Sequence, residues 1–391
     1  MKYSFFTVLL LCITFIGTAQ TNPKWARYPS ISPDGQTIVF TYKGNLFSVL
    51  AEGGIAKQLT FHSAHDYAPV WSKNGKKIAF TSNRYGNFDV YVMDSQGGPA
   101  TRLTYHSTDE TPFSFSADDS TVLFGATRLD AVSHRQYPTD TQPELYSVPV
   151  QGGRVDQVLT VPAEDVQVNT DGSKMVYHDK KGYEDAFRKH HTSAITRDIW
   201  SYEPATGEHV KLTNFKGEDR NPVFSKDGSS IYYLSEQEGS FNVFSMSLKE
   251  GSQIKTLTNF KMHPVRSLSI GNDKLAFGYD GEIYTLKEGE EAKKVAIIIR
   301  TQEDSNPIKY VSVNGGVQEM DIAPNGKEIA FISRGEVFVT SFDGSLTKRI
   351  TNTPEQERFV KFMPDGKGVA YASERNGKWS IFKSSKVRSQ E

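Results

Sequence analysis

At 391 residues the chain is long enough for two ordinary domains or one large repeat domain. A formal net charge of −1 removes any electrostatic case for nucleic acid or for an anionic membrane surface. Aromatic residues make up 12% of the chain and helix-spaced apolar positions are scarce, which points to an all-β protein.

The chain opens on a targeting pattern. Lys2 gives a positive start, Phe5 to Ile16 form an apolar run, and Gly17-Thr18-Ala19 supply small residues before Gln20. This predicts a signal peptide over residues 1–19, cut after Ala19, and an exported protein, periplasmic or secreted. The apolar run is short for a membrane span, so the mature form is expected to have no membrane segment. Cys12, the only cysteine, lies inside the run, and Leu11 before it is not the small residue a lipoprotein signal needs. The mature chain then has no thiol, which excludes disulfides, thiolate metal sites and a cysteine nucleophile.

A repeating unit follows. It is clearest at Ala68–Gly75, with Lys77–Ser82, Asp89–Asp94 and Ala100–Tyr105 after it: four short β-rich segments separated by turn residues, a meander. Its inner turn recurs eight times, at Ser32–Gly35, Ser72–Gly75, Ser116–Asp119, Asn169–Gly172, Ser225–Gly228, Ile270–Asp273, Ala323–Gly326 and Met363–Gly366. Asp or Asn followed by Gly tolerates the positive φ of a tight turn; the third and sixth copies lack the Gly and are expected to be looser. The second strand carries an aromatic at a fixed place, Phe40, Phe80, Phe124, Tyr177, Tyr233, Phe277, Phe331 and Tyr371. The third carries Phe47, Tyr91, Tyr146, Trp200, Phe244, Tyr284, Phe338 and Phe382. The fourth usually carries Leu-Thr, as at Leu59-Thr60 and Leu103-Thr104.

A four-stranded sheet cannot bury both faces alone, but copies arranged around an axis cover one another, which predicts a β-propeller of four-stranded antiparallel blades. Two insertions widen the spacing, around Arg128–Gln142 and through Lys180–Arg197. The sixth fourth strand, Lys293–Ile298, lacks Leu-Thr, and the polar stretch Arg300–Pro307 follows it. The pattern predicts a six-bladed ring over 20–300 and an incomplete second propeller over 301–391, whose eighth repeat ends after its third strand. The alternative is one ring of eight blades.

No catalytic residue stands out. A G-x-S-x-G elbow is absent, and most Ser and Asp residues are explained by the repeated turns. No metal or cofactor site is expected. His178, His190 and His191 with Asp179 and Asp185 have donor atoms, but adjacent histidines on a strand face opposite ways. The Lys180–Arg197 insertion is the candidate peptide-binding site, with Arg188, His190, His191 and Arg197 as the cations for a peptide carboxylate. The alternative is a salt-bridged loop packed on a neighbour. Arg84, Gln237 and Arg375 occupy one hairpin position in different blades, which favours a structural role. His62, His65 and His106 follow fourth strands and line either a central funnel or the surface.

The Asp/Asn-Gly repeats resemble those of TolB-type propellers and of the amino-terminal part of tricorn-like proteases. The more specific Tyr177–Tyr183, Arg188–Ser193, Thr196–Trp200, Gly217–Pro222 and Asn352–Arg358 look like exported tricorn-like serine peptidases of bacteria. In that family a six-bladed propeller precedes a seven-bladed one, a PDZ domain and a catalytic domain with a serine nucleophile. The resemblance implies a non-catalytic propeller segment that scaffolds the enzyme and holds or filters peptides. Its partners would be peptides and the PDZ and catalytic domains of a longer parent. Whether the chain itself is an enzyme is left open. The alternative is a stand-alone periplasmic TolB-like interaction propeller; a third reading, a sugar-active propeller, needs carboxylates converging on the axis.

Overall fold

A computed structural model describes residues 23–128, 142–182, 192–249, 253–300 and 315–385. The chain divides into two compact units, Met1–Thr301 and Gln302–Glu391. The described residues of the first form six sheets, five of four strands and one of five. Blade one is β1–β4 (Arg27–Ile31, Thr37–Tyr42, Asn45–Leu50, Gly54–Gln58) and blade two is β5–β8 (Asp66–Trp71, Lys77–Ser82, Asp89–Asp94, Thr101–Arg102). Blade three is β9–β12 (Glu110–Phe115, Thr121–Ala126, Glu144–Pro149, Asp156–Leu159) and blade four is β13–β16 (Ala163–Val168, Met175–Asp179, Ile199–Glu203, Glu208–Lys211). Blade five is β17–β20 (Asp219–Phe224, Ser230–Ser235, Asn242–Ser247, Lys255–Thr256) and blade six is β21–β24 (Arg266–Gly271, Lys274–Tyr279, Glu282–Lys287, Lys293–Lys294), followed by β25 (Ile297–Ile299). The second unit holds blade seven, β26–β29 (Val317–Ile322, Glu328–Ser333, Glu336–Ser341, Thr347–Arg349), and a three-stranded blade eight, β30–β32 (Glu357–Phe362, Val369–Ser373, Ser380–Ser384).

Six blades close the first unit. The first strands touch in cyclic order, from β1 to β5, β9, β13, β17 and β21, and β21 returns to β1. A separate apolar cluster fills each gap between consecutive sheets; Ala276, Ile283 and Val295 of blade six, for example, pack with Ile38, Phe40 and Phe47 of blade one. This closure excludes a single eight-bladed ring. It also corrects the reading of Lys293–Ile298 as one fourth strand. Only Lys293–Lys294 pair within blade six, whereas Ile297–Ile299 cross to blade one and pair in parallel with Gly54–Ala56. Gly53 permits the crossing: its φ is +96°, and a Cβ there would lie 2.7 Å from the Ala296 carbonyl oxygen.

The repeated sequence features have repeated structural causes. In all eight blades the second-strand aromatic sits directly opposite the third-strand aromatic. Seven of these pairs face ring to ring at 5.4–6.3 Å. The Leu-Thr pair lies just past the fourth strand in blades one, two, four and five, not within it. There its Thr hydroxyl accepts the N–H of Leu46, Val90, Ile199 or Val243 on the third strand, at 2.9–3.0 Å. In the inner turns a Ser hydroxyl accepts the N–H five residues on, as Ser32 does from Thr37 at 2.9 Å and Ser225 from Ser230 at 3.0 Å.

The two turns without Gly are not loose. Asp119 takes the left-handed conformation at φ +60° and still closes its turn through its N–H to the Ser116 carbonyl, 3.1 Å. Its carboxylate meanwhile accepts the Lys73 and Asn74 N–H groups of the preceding blade, at 2.6 and 2.8 Å. The sixth turn is shorter than the others: Asn272 and Asp273, at φ +46° and +62°, form a two-residue hairpin between paired Gly271 and Lys274.

Candidate functional site

The six inner strands of the first unit enclose a central cavity of about 500 Å³. Each of these strands carries a register shift, and in five of them one residue is left-handed: Tyr28, Ala68, Asp165, Asn221 and Ser267. The bulge turns these residues onto the cavity wall, which all five line. The sequence carries a partial trace of this, since Tyr28, Ala68 and Asn221 each precede a proline.

The wall has two characters. Tyr28 and Tyr67, from blades one and two, lie with ring centroids 5.3 Å apart, and burial raises both phenols above the usual range. Across the six-bladed ring, blades four and five put Asp165 and Asn221 on the wall, and a charged cluster that does not itself line the cavity touches both residues. Here Asn221 donates its amide to Asp165 and its backbone N–H to His178 Nδ1, 3.3 Å. His178 is buried, with its Nε2 3.4 Å from Glu164 and its Nδ1 3.6 Å from Asp165. Lys180 reaches Glu164 at 3.0 Å, and Arg197 bridges Glu164 and Glu218 at 3.4 and 3.0 Å. Burial would raise Glu164, but His178, Lys180 and Arg197 outweigh it and hold the carboxyl well below its usual range. Asp165 goes the other way, raised by desolvation and by the Glu164 charge beside it. Arg220 is buried over the Phe241 ring at 4.1 Å, and desolvation lowers it to about 10.

Of the four cations expected from the sequence to bind a peptide, Arg197 is within the described residues, where it is buried and already paired with two carboxylates. Arg188, His190 and His191 lie outside the described residues. The ends of the Lys180–Arg197 insertion are tied down by ions: Lys181 bonds Asp198, and Lys211 reaches the same carboxylate at 2.9 Å. Among the described residues no three His, Asp or Glu side chains converge as metal ligands. His178 addresses carboxylates and a backbone amide, not a hydroxyl, so its geometry does not activate a nucleophile.

A second constellation, missed from sequence, repeats at blade edges. Asp66, Glu110 and Glu357 begin first strands, are fully buried, and meet Arg84, Arg128 and Arg375 respectively at 3.0, 2.6 and 3.0 Å. Each arginine lies 18 residues after its acid and sits over the aromatic pair of its own blade. That constant spacing was the available signal. It bears out the structural reading of Arg84 and Arg375. Blade five has the acid, Asp219, but carries Gln237 at the arginine position. Both Asp219 carboxylate oxygens are buried without a hydrogen-bond partner, and burial pushes its carboxyl up to about 7.

A family model described as "Tricorn protease N-terminal beta propeller domain" matches residues 23–292. Tricorn protease homolog 1 of Streptomyces coelicolor is 26% identical over 342 residues, covering 86% of this chain and 31% of that protein. The tricorn protease of Thermoplasma acidophilum is 23% identical over 362 residues, covering 89% of this chain and 32% of that one. A crystal structure of the tricorn protease superposes with a TM-score of 0.69 at 19% identity, over 94% of this chain and 36% of the other. The chain thus spans about a third of the length of the relatives it matches.

Proposed function

The chain belongs to the family of tricorn protease N-terminal β-propeller domains, and on that premise we propose that it is the non-catalytic propeller part of a serine peptidase. Its work is to hold peptides and control their passage, while bond cleavage belongs to a catalytic domain formed by other residues. The observation that carries this reading is the central cavity, with the Tyr28–Tyr67 ring pair on one wall and the polar Asp165–Asn221 pair on the other. An extended peptide has need of both, since its side chains are mixed and its backbone is polar. His178, held between carboxylates and an amide, is arranged for holding and not for proton transfer to a nucleophile.

In this reading Arg188, His190 and His191 form the cationic approach for a peptide carboxylate, and Arg197 anchors the inner end of their loop. Residues 1–19 direct export and are removed after Ala19, so the protein works in the periplasm or outside the cell. The test is a pair of measurements on the purified chain. A fluorescently labelled unstructured peptide is expected to bind, with affinity weakened several-fold by Arg188→Ala with His190→Ala, and a quenched peptide library is expected to remain uncut. Hydrolysis abolished by substituting a single serine of this chain would overturn the proposal.

A further inference from the structure

The acid–arginine–aromatic arrangement at the blade edges has a fixed geometry. In blades two, three and eight the acid stands opposite the last second-strand residue: Asp66 opposite Ser82, Glu110 opposite Ala126 and Glu357 opposite Ser373. The arginine follows two residues later. It enters from the solvent edge, keeping 15–28% of its side chain exposed, and covers the carboxylate. In blade eight Arg375 also donates to the Tyr371 hydroxyl at 3.4 Å, so one guanidinium bridges the acid and the second-strand tyrosine.

Blade five reproduces every part of this frame except the cation. Asp219 stands opposite Ser235, and Tyr233, the counterpart of Tyr371, faces Phe244 at 6.0 Å. Asp219 and Tyr233 are both fully buried, and neither the carboxylate nor the phenol has a hydrogen-bond partner among the described residues. These are the two acceptors that Arg375 satisfies in blade eight. The Ser235 and Thr213 hydroxyls lean toward Asp219 without completing a bond, and the neighbouring Asp198 and Glu236 charges add to its need for a cation. Gln237, at the arginine position, is exposed; its uncharged amide leans toward the Tyr233 hydroxyl without completing a bond and leaves Asp219 without a cation.

We infer that the edge of blade five is a recognition slot for an incoming guanidinium, the side chain of an arginine in a bound peptide. It would seat between Asp219 and the Tyr233 hydroxyl over the Tyr233–Phe244 pair, as the internal arginines do in the other blades. An uncompensated buried carboxylate is costly, and a guanidinium matches it in charge and in planar donor geometry. The slot stands whether or not the chain serves a catalytic domain.

The probe is Nα-acetyl-arginine amide, with the neutral isostere Nα-acetyl-citrulline amide as control, followed by thermal unfolding and calorimetry. Wild type is expected to gain a saturable melting-temperature rise of about 2 °C with the arginine compound and none with citrulline. Gln237→Arg is expected to melt higher without ligand and to lose the response, since its own side chain fills the slot. Asp219→Asn is expected to fold and to lose the response as well. A wild-type response shared by citrulline, a response retained in Asp219→Asn, no wild-type response, or a lowered melting temperature in Gln237→Arg would each overturn the assignment.

Discussion

Asp219 and Glu110 occupy the same place in two sheets, yet their surroundings set them apart. Glu110 is neutralised by Arg128 at 2.6 Å, whereas no cation among the described residues neutralises Asp219. Two outcomes follow at this scale. Arg128→Met strands a buried carboxylate and is expected to destabilise the protein by about 3–5 kcal/mol in denaturant unfolding, with much of the loss regained in the double variant Glu110→Gln/Arg128→Met. For Asp219 the folded carboxyl titrates at about 7 and the unfolded one at about 4, so between those values the folded state holds the extra proton. Its contribution is therefore complete below about pH 4 and is lost as pH rises through about 7, at a slope of at most about 1.4 kcal/mol per pH unit. Unfolding curves from about pH 5 to 8 should show wild type losing stability relative to Asp219→Asn, with the difference levelling above about pH 7.

Each sheet is held by devices that recur at constant offsets. The Thr hydroxyls after the fourth strands replace a ladder hydrogen bond where the outer strand has ended, which explains why outer strands of two residues, such as β8 and β20, suffice. Thr104→Val keeps the shape and removes the acceptor, leaving the Val90 N–H buried without a partner. That is expected to cost about 1–3 kcal/mol, read from the denaturation midpoint at unchanged m-value. The aromatic pairs were legible because strand alternation is local: two aromatics either side of a short hairpin fall opposite one another once the turn fixes the register. The inner-strand bulges were less legible, because the residues they reverse, among them Asp165 and Ser267, have no shared side-chain type.

Closure is the property of the first unit as a whole. It depends on contacts between segments some 240 residues apart: the Ile31 N–H donates to Ser269 Oγ at 3.1 Å, and that hydroxyl donates to the Pro29 carbonyl at 3.1 Å. Ile297, buried in the cluster joining blades six and one, is the apolar end of the same seam. Ile297→Ala is expected to cost about 2–5 kcal/mol, measured as a fall in the thermal or denaturant midpoint. Such a seam is slow to form, since a long loop must be closed before its contacts repay the lost chain entropy.

The sequence alone determined the first three strands of each sheet, their order, the places of the eight turns and the aromatic register, because each of these is decided within about forty residues by turn conformation and side-chain alternation. Only the tertiary structure decided that six sheets close, that Ile297–Ile299 leave blade six to pair with blade one, that Arg197 spends its charge internally and that Asp219 is left without a cation. The physical reason is that burial and ion pairing are set by what arrives from distant parts of the chain. A carboxylate that looks alike in blades two, three, five and eight becomes a strut or an unsatisfied acceptor according to the one neighbour it meets.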